Sequence, residues 1–304
     1  MSVLIKQKVA SDLTISCFGE VLWDCFDSGK RLGGAPLNMC VRINALGIKA
    51  NMISAVGNDE LGHELLGEIA ARGVSCDYIA ANSKPTSIVE VTLDNSGSAS
   101  YTIVADTAWD NIALTDKLVN KVSTDDVFVF GSLIGRSAHS YATLQQLLEV
   151  ANFKVFDVNL RAPHYKLNTL IELMNKADFI KLNDDELYEI AKAMGCKYHS
   201  LEQNLAYIAE HTNTDYLCVT KGSHGALLTI KGVNYYNSGY LINVVDTVGA
   251  GDSFLGALIY QLCSSNDPQH SVDFACAVGA MVAESQGATP ILSHQQINEF
   301  MDPV

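Results

Sequence analysis

Gly249-Ala250-Gly251-Asp252 is the stretch of this sequence best suited to chemistry. The apolar pair Val244-Val245 lies just upstream and reads as the end of a strand. Phe254, Leu255, Ala257, Leu258, Ile259 and Leu262 follow at helical spacing. The glycines therefore sit where a loop enters a helix. Backbone N–H groups there lack intrahelical partners, and the helix dipole adds positive potential. Glycine lets an anion approach that backbone closely. A carboxylate beside an anion hole suits a base that takes a hydroxyl proton while the N–H groups hold developing negative charge. The same string also reads as a turn followed by a helix cap.

Other strings carry compatible chemistry. Gly33-Gly34-Ala35-Pro36-Leu37-Asn38 opens an earlier helix, and the Asn38 amide offers a donor and an acceptor, which suits a polyol. Asp24 closes Gly19-Glu20-Val21-Leu22-Trp23-Asp24, where a solvated turn acid is the plainer reading. Trp23 reads as packing before it reads as a stacking platform. Arg161 ends Asp157-Val158-Asn159-Leu160-Arg161; its guanidinium suits an oxyanion or a surface carboxylate. Asn183 and Glu186 have capping-box spacing. Thr220-Lys221-Gly222-Ser223-His224-Gly225 follows a strand, where open α/β sheets place their crevice.

Together these strings resemble the signatures of the ribokinase/PfkB family of sugar kinases, in family order and over nearly the whole chain. Asp246-Thr247-Val248-Gly249-Ala250-Gly251-Asp252 resembles the Asp-Thr-x-Gly-Ala-Gly-Asp signature. The resemblance implies a ribokinase-like fold and ATP-dependent phosphorylation of a sugar hydroxyl. It makes Asp252 the base, Gly249, Ala250 and Gly251 the anion hole, and Arg161 a contact of the transferring group or a sugar oxygen. Asp24, Gly34 and Asn38 would hold the sugar. Thr220, Gly222 and Gly225 would meet the nucleotide phosphates, with Cys276 and Ala280 under the adenine. Many members carry Asn at the place of Cys276. Asn183 and Glu186 would bear on Mg²⁺ largely through water. Asp246 and the loop Ser285–Pro290 match segments that often cradle a monovalent cation such as K⁺. Glu20–Asp24, the Ala-Pro form of the glycine loop and Ala108-Trp109-Asp110-Asn111 look most like fructokinases, so fructose is the expected substrate and fructose 6-phosphate the product. The alternatives are 2-keto-3-deoxygluconate, another sugar or a nucleoside, or a non-catalytic sugar-binding protein of this fold.

These residues need a scaffold that brings distant loops together. From Asp126 onward apolar strands alternate with helices, which argues for an α/β fold with a mostly parallel sheet covered by helices in three layers. Leu13–Phe18 reads as the first strand, with Glu20–Asp24 continuing it; Ala226–Tyr236 reads as a hairpin at the far edge. Ser87–Asp94 and Ser100–Ala105 alternate around Asn95-Ser96-Gly97-Ser98 and read as a hairpin outside the main sheet. The expected organisation is one domain over 1–304 with a small β lid from about 23–32 and 86–105. A homodimer through the lid is expected, with Ile88, Val91, Tyr101 and Ile103 as candidate contacts.

Composition narrows the partners. A net charge of −14 supplies no basic footprint for nucleic acid and disfavours an anionic membrane surface. The 8 cysteines form no C-x-x-C pair and suit a reducing cytoplasm. The start, Met1 to Gln7, has no signal-peptide pattern, and no run reaches membrane-spanning length. The expected location is cytoplasmic.

Overall fold

The computed structural model describes residues 10–26, 29–93 and 99–302. The first half of the chain holds β1 (Thr14–Phe18), β2 (Leu22–Phe26), β3 (Gly29–Gly33), α1 (Ala35–Ala45), β4 (Lys49–Gly57), α2 (Glu60–Ala71), β5 (Ile79–Asn82), β6 (Ile88–Leu93), β7 (Ala99–Ile103), α3 (Asp116–Thr124), β8 (Val127–Gly131) and α4 (Ala138–Val150). There follow β9 (Lys154–Asp157), α5 (Leu167–Lys176), β10 (Phe179–Asn183), α6 (Asp184–Ala193), α7 (Leu201–Thr212), β11 (Tyr216–Thr220), β12 (Ala226–Ile230), β13 (Val233–Asn237), α8 (Ala250–Ser264), α9 (Pro268–Ala283) and α10 (His294–Met301).

The main sheet has nine strands in the order β13-β12-β11-β10-β9-β8-β1-β4-β5. The strands from β11 to β5 run parallel, and the β12–β13 hairpin closes one edge antiparallel. Strand side chains alternate between two cores. Cys17, Val127 and Val129 pack on one face with α1, α8 and α9, whereas Phe18, Phe128 and Phe130 pack on the other with α4, α5 and α7. That second core stacks Phe130 on Phe156 with ring centroids 5.1 Å apart. A parallel strand covered on both faces must be apolar throughout, which is why β8 reads Val-Phe-Val-Phe. The result is the expected three-layer α/β arrangement.

The small sheet is β3-β2-β6-β7, set apart from the main one. Within it β2 pairs antiparallel with β3 and parallel with β6. The expected hairpin is confirmed as β6–β7, although its turn at 95–98 lies outside the described residues.

Two local expectations are corrected. Glu20–Asp24 does not prolong β1. A Cβ on Gly19 would stand 2.8 Å from Pro36 Cγ, so the chain passes tightly under the start of α1 and leaves the sheet. Trp23 N–H then donates to Ser87 O at 3.0 Å, within the small sheet. Val244-Val245 is not a strand either. Val245 and Asp246 N–H both donate to Ala283 O, at 2.8 and 3.2 Å, so their partner is the end of α9 rather than a ladder. Their apolar appearance misleads because the side chains are exposed.

Candidate active site

The carboxyl ends of β1, β9, β10 and β11 open toward the start of α8, the crevice position expected of an open α/β sheet. Gly249 is the N-cap of α8, with φ 74° and no side-chain cap. A Cβ there would stand 2.4 Å from Ala288 Cβ, so only glycine lets the loop Ser285–Pro290 pack against this turn. The first turn thus presents backbone rather than side chain. Asp252 lies within it, and its Oδ2 accepts a hydrogen bond from Asn38 Nδ2 at 2.8 Å. Burial pushes the Asp252 carboxyl up to about 6, with help from Asp157; the Asn38 bond, Lys181 and Arg161 oppose the shift. A carboxylate poised there accepts a proton more readily than an ordinary aspartate.

Of the residues expected at the sugar, Asn38 bonds Asp252, and Asp24 is near enough to feel its charge. Asp24 stands on β2 opposite Arg31 of β3. A Cβ on Gly33 would come within 2.3 Å of Asp24 Oδ2, so Gly33 leaves the space the carboxylate fills. Burial raises Asp24 to about 6; Arg161 opposes the shift, Asp252 adds to it, and Arg31 opposes it. Gly34 has φ 114°, and a Cβ there would meet Glu20 O at 2.4 Å. The glycine loop is therefore seated on the strand exit. Arg161 is exposed and donates to Leu160 O at 2.9 Å. It forms no ion pair among the described residues, yet its charge acts on Glu20, Asp24 and Asp252 alike. The surface-pair reading of Arg161 thus finds no partner. Trp23 is buried and donates to Leu61 O at 3.0 Å, so it packs the lid onto α2.

On the other side of α8 lies a cleft of about 340 Å³ lined by Thr220, Gly222, Gly225, Cys276 and Ala280 together with Asn183, Ala250 and Gly251. All five residues expected at the nucleotide therefore share one cleft, which reaches Ala250 and Gly251, the expected anion hole. Gly225 has φ 75°, and a Cβ on it would strike Asn237 O at 2.1 Å, which fixes the loop after β11. Cys276 is nearly buried in the cleft wall, and burial pushes its thiol up to about 12. It packs there as a neutral small hydrophobe.

Asn183 and Glu186 form a full capping box. Glu186 N–H donates to Asn183 Oδ1 and Asn183 N–H to Glu186 Oε2, both at 2.8 Å. Leu160 N–H donates to Glu186 Oε1 at 2.7 Å, so this carboxylate also ties α6 to the loop carrying Arg161. No group of three or more His, Cys, Asp or Glu side chains forms a metal cage among the described residues. One amide and one carboxylate fit Mg²⁺, which keeps several waters and uses few protein oxygens. Asp246 joins two loops, accepting from Val248 N–H at 3.0 Å and Gly287 N–H at 3.3 Å. Its charge is met by Arg31 of the lid at 3.2 Å. Arg31 and Gly287 N–H share Oδ2, while Oδ1 accepts from Val248 N–H.

Sequence reasoning gave no role to three buried groups. Lys181 Nζ sits 3.0 Å from Asp157 Oδ1, both side chains are buried, and a Cβ on Gly251 would stand 3.6 Å from Lys181 Nζ. Burial pulls the Lys181 ammonium down, but Asp157, Glu186 and Asp252 outweigh it and hold the pKa above its ordinary value. The signal was present as a lysine inside the apolar strand Phe179-Ile180-Lys181-Leu182. Glu20 accepts from Ala35 N–H at 3.2 Å, and burial pushes it up to about 7.

The sequence profile of the pfkB family carbohydrate kinases matches residues 6–295. The chain is 29% identical over 285 residues to probable fructokinase-4 of Arabidopsis thaliana, covering 86% of this chain and 85% of that protein. It is 27% identical to an uncharacterized sugar kinase of Pyrococcus horikoshii solved in complex with ATP, with a TM-score of 0.78 over 95% of this chain and all (100%) of the other. A fructokinase of Vibrio cholerae O395, solved with fructose, ADP and potassium ion, shares the fold with a TM-score of 0.82 at 24% identity over 97% of this chain and 100% of that one. The matched profile, spanning nearly the full chain and every element of the site, shows that this protein belongs to the pfkB family of carbohydrate kinases.

Proposed function

We propose that the protein transfers the γ-phosphoryl group of ATP to a hydroxyl of fructose, giving fructose 6-phosphate and ADP. The observation that carries this reading is the position of Asp252. It is bonded to the Asn38 amide and directly follows Ala250 and Gly251, whose backbone lines the cleft of Thr220 and Cys276. In the reaction the sugar oxygen bonds to the γ-phosphorus, the bond to the β-phosphate oxygen breaks, and the hydroxyl proton passes to Asp252. The N–H groups at the start of α8 hold the phosphoryl oxygens. Arg161 is placed to share that charge. Asp24 and Asn38 orient the sugar through its hydroxyls. Mg²⁺, when bound near Asn183 and Glu186, supplies neutralising charge to the phosphates.

Fructose is favoured by the Glu20–Asp24 string, the Ala-Pro glycine loop and the named relatives. An assay of ADP release with a panel of sugars tests it, and absence of turnover on every sugar would favour a non-catalytic binding protein.

The small sheet acts as a lid in this reading, with Arg31 reaching the anion-hole loop at Asp246. Ile88 and Ile103 are half-buried against this chain's own cores, and the side chains of Val91 and Tyr101 lie outside the described ones. A homodimer through the lid would therefore use its edge strands β3 and β7. Sedimentation equilibrium at micromolar protein tests that pairing; a monomer would exclude it. No helix among the described residues is long and apolar enough to cross a membrane.

A further inference from the structure

Arg42 is 1% exposed, in the middle of α1 where that helix packs on α8. It forms no ion pair among the described residues, and its Nη1 has no hydrogen-bond partner. Burial alone lowers its pKa to about 10. A buried guanidinium without a carboxylate is costly, and a leucine or methionine would fill a helix interface at less cost.

The nitrogens that do find partners lead to the reacting centre. Arg42 Nη2 donates to Pro290 O at 3.0 Å and Nε to Ser253 Oγ at 3.4 Å. Ser253 Oγ in turn donates to Ala288 O at 3.3 Å. Asn38, one turn earlier on α1, holds Asp252. Two residues four apart on one helix thus grip two consecutive residues, Asp252 and Ser253, in the first turn of the other. The grip extends to the loop Ala288–Pro290, which packs against Gly249. Room for it is made at Gly256, where a Cβ would stand 3.2 Å from Arg42 Cβ.

We propose that Arg42 is a positioning residue for phosphoryl transfer: it holds the loop Ala288–Pro290 against the first turn of α8 and so fixes the anion hole and Asp252 in one geometry. The inference rests on the kinase reading above. A displacement of about 1 Å at a reacting centre costs on the order of 100-fold in rate.

The test uses Arg42→Met and Arg42→Lys in the full chain. Methionine removes the buried charge at similar length, so the thermal midpoint should hold or rise. We expect kcat for Arg42→Met to fall roughly 10–100-fold with the sugar KM within about twofold, the pattern of an interaction expressed in the transition state. Arg42→Lys, which reaches one acceptor rather than two, should recover part of that loss. Hydrogen exchange of residues 286–291 should quicken at least about tenfold in Arg42→Met, a readout independent of turnover. A folded Arg42→Met with kcat within about twofold of the parent and unchanged exchange would overturn the proposal. If Arg42→Met does not fold, wild-type kcat in Arg42→Lys would assign Arg42 to packing alone and overturn it equally. An inactive parent enzyme would instead count against the kinase reading, and the exchange comparison would still decide the role of Arg42.

Discussion

Three carboxyl groups near the reacting point, Glu20, Asp24 and Asp252, all hold their protons more tightly than ordinary carboxylic acids, and burial is the first cause for each. A base must be ionised to accept a proton. The rate should therefore fall as pH drops through about 6, the value of Asp252 and Asp24, rather than near the usual carboxylate range. A pH profile of kcat/KM flat down to pH ~4.5 would contradict the assignment. Linkage has the opposite sign. A raised folded-state pKa stabilises fully below the unfolded value, and that contribution is lost as pH rises through the folded value. Asp24→Asn should accordingly flatten the decline in thermal midpoint between about pH 4 and 7. At Asp252 itself, replacement by asparagine should leave both ligands bound by calorimetry and lower turnover roughly 10²–10⁴-fold, the usual contribution of one acid–base group.

Among the elements, β10 and α6 show how one pair of side chains serves structure and site together. Glu186 accepts two backbone N–H groups, one within its own capping box and one from Leu160. Glu186→Gln keeps one carbonyl acceptor and turns a donor toward the other N–H. It should cost about 1–3 kcal/mol of stability, read by chemical denaturation, and raise the Mg²⁺ concentration for half-maximal rate. Lost stability with unaltered Mg²⁺ dependence would leave the capping box as its whole role. The Asn183–Glu186 spacing, the glycine pair at Gly249 and Gly251 and the alternation after Asp126 were legible because local rules govern caps, turns and strand periodicity. The exit of the chain at Gly19 and the exposed Val244-Val245 were not, because tertiary neighbours decide them: Pro36 over Gly19, and the end of α9 beside Val245. The Lys181–Asp157 pair joins two strands 24 residues apart, and no local pattern announces such a partnership.

At the scale of the molecule, two clefts flank the loop that leads into α8, and the small sheet walls one of them. One is lined by β2, β3, the end of α2 and the loops at Asp246–Val248 and Gln286–Pro290; the other is lined by the loop after β11, the first turn of α8 and α9, and the two share no lining residue. Because neither Asp24 nor Asn38 lines the cleft that holds Thr220 and Cys276, Asp24→Ala and Asn38→Ala should each weaken sugar binding by about 1–3 kcal/mol in calorimetry and leave ATP binding intact. Equal weakening of both ligands would indicate a general disturbance of the fold. The central claim is that this arrangement phosphorylates a sugar, with Asp252 as its base. Its most direct test is ADP release with ATP, Mg²⁺ and fructose, run side by side on the parent enzyme and Asp252→Asn. The account predicts fructose-dependent turnover in the parent, reduced at least about 100-fold in the variant. Equal rates in the two proteins, or ADP release that ignores fructose and every other sugar, would contradict it.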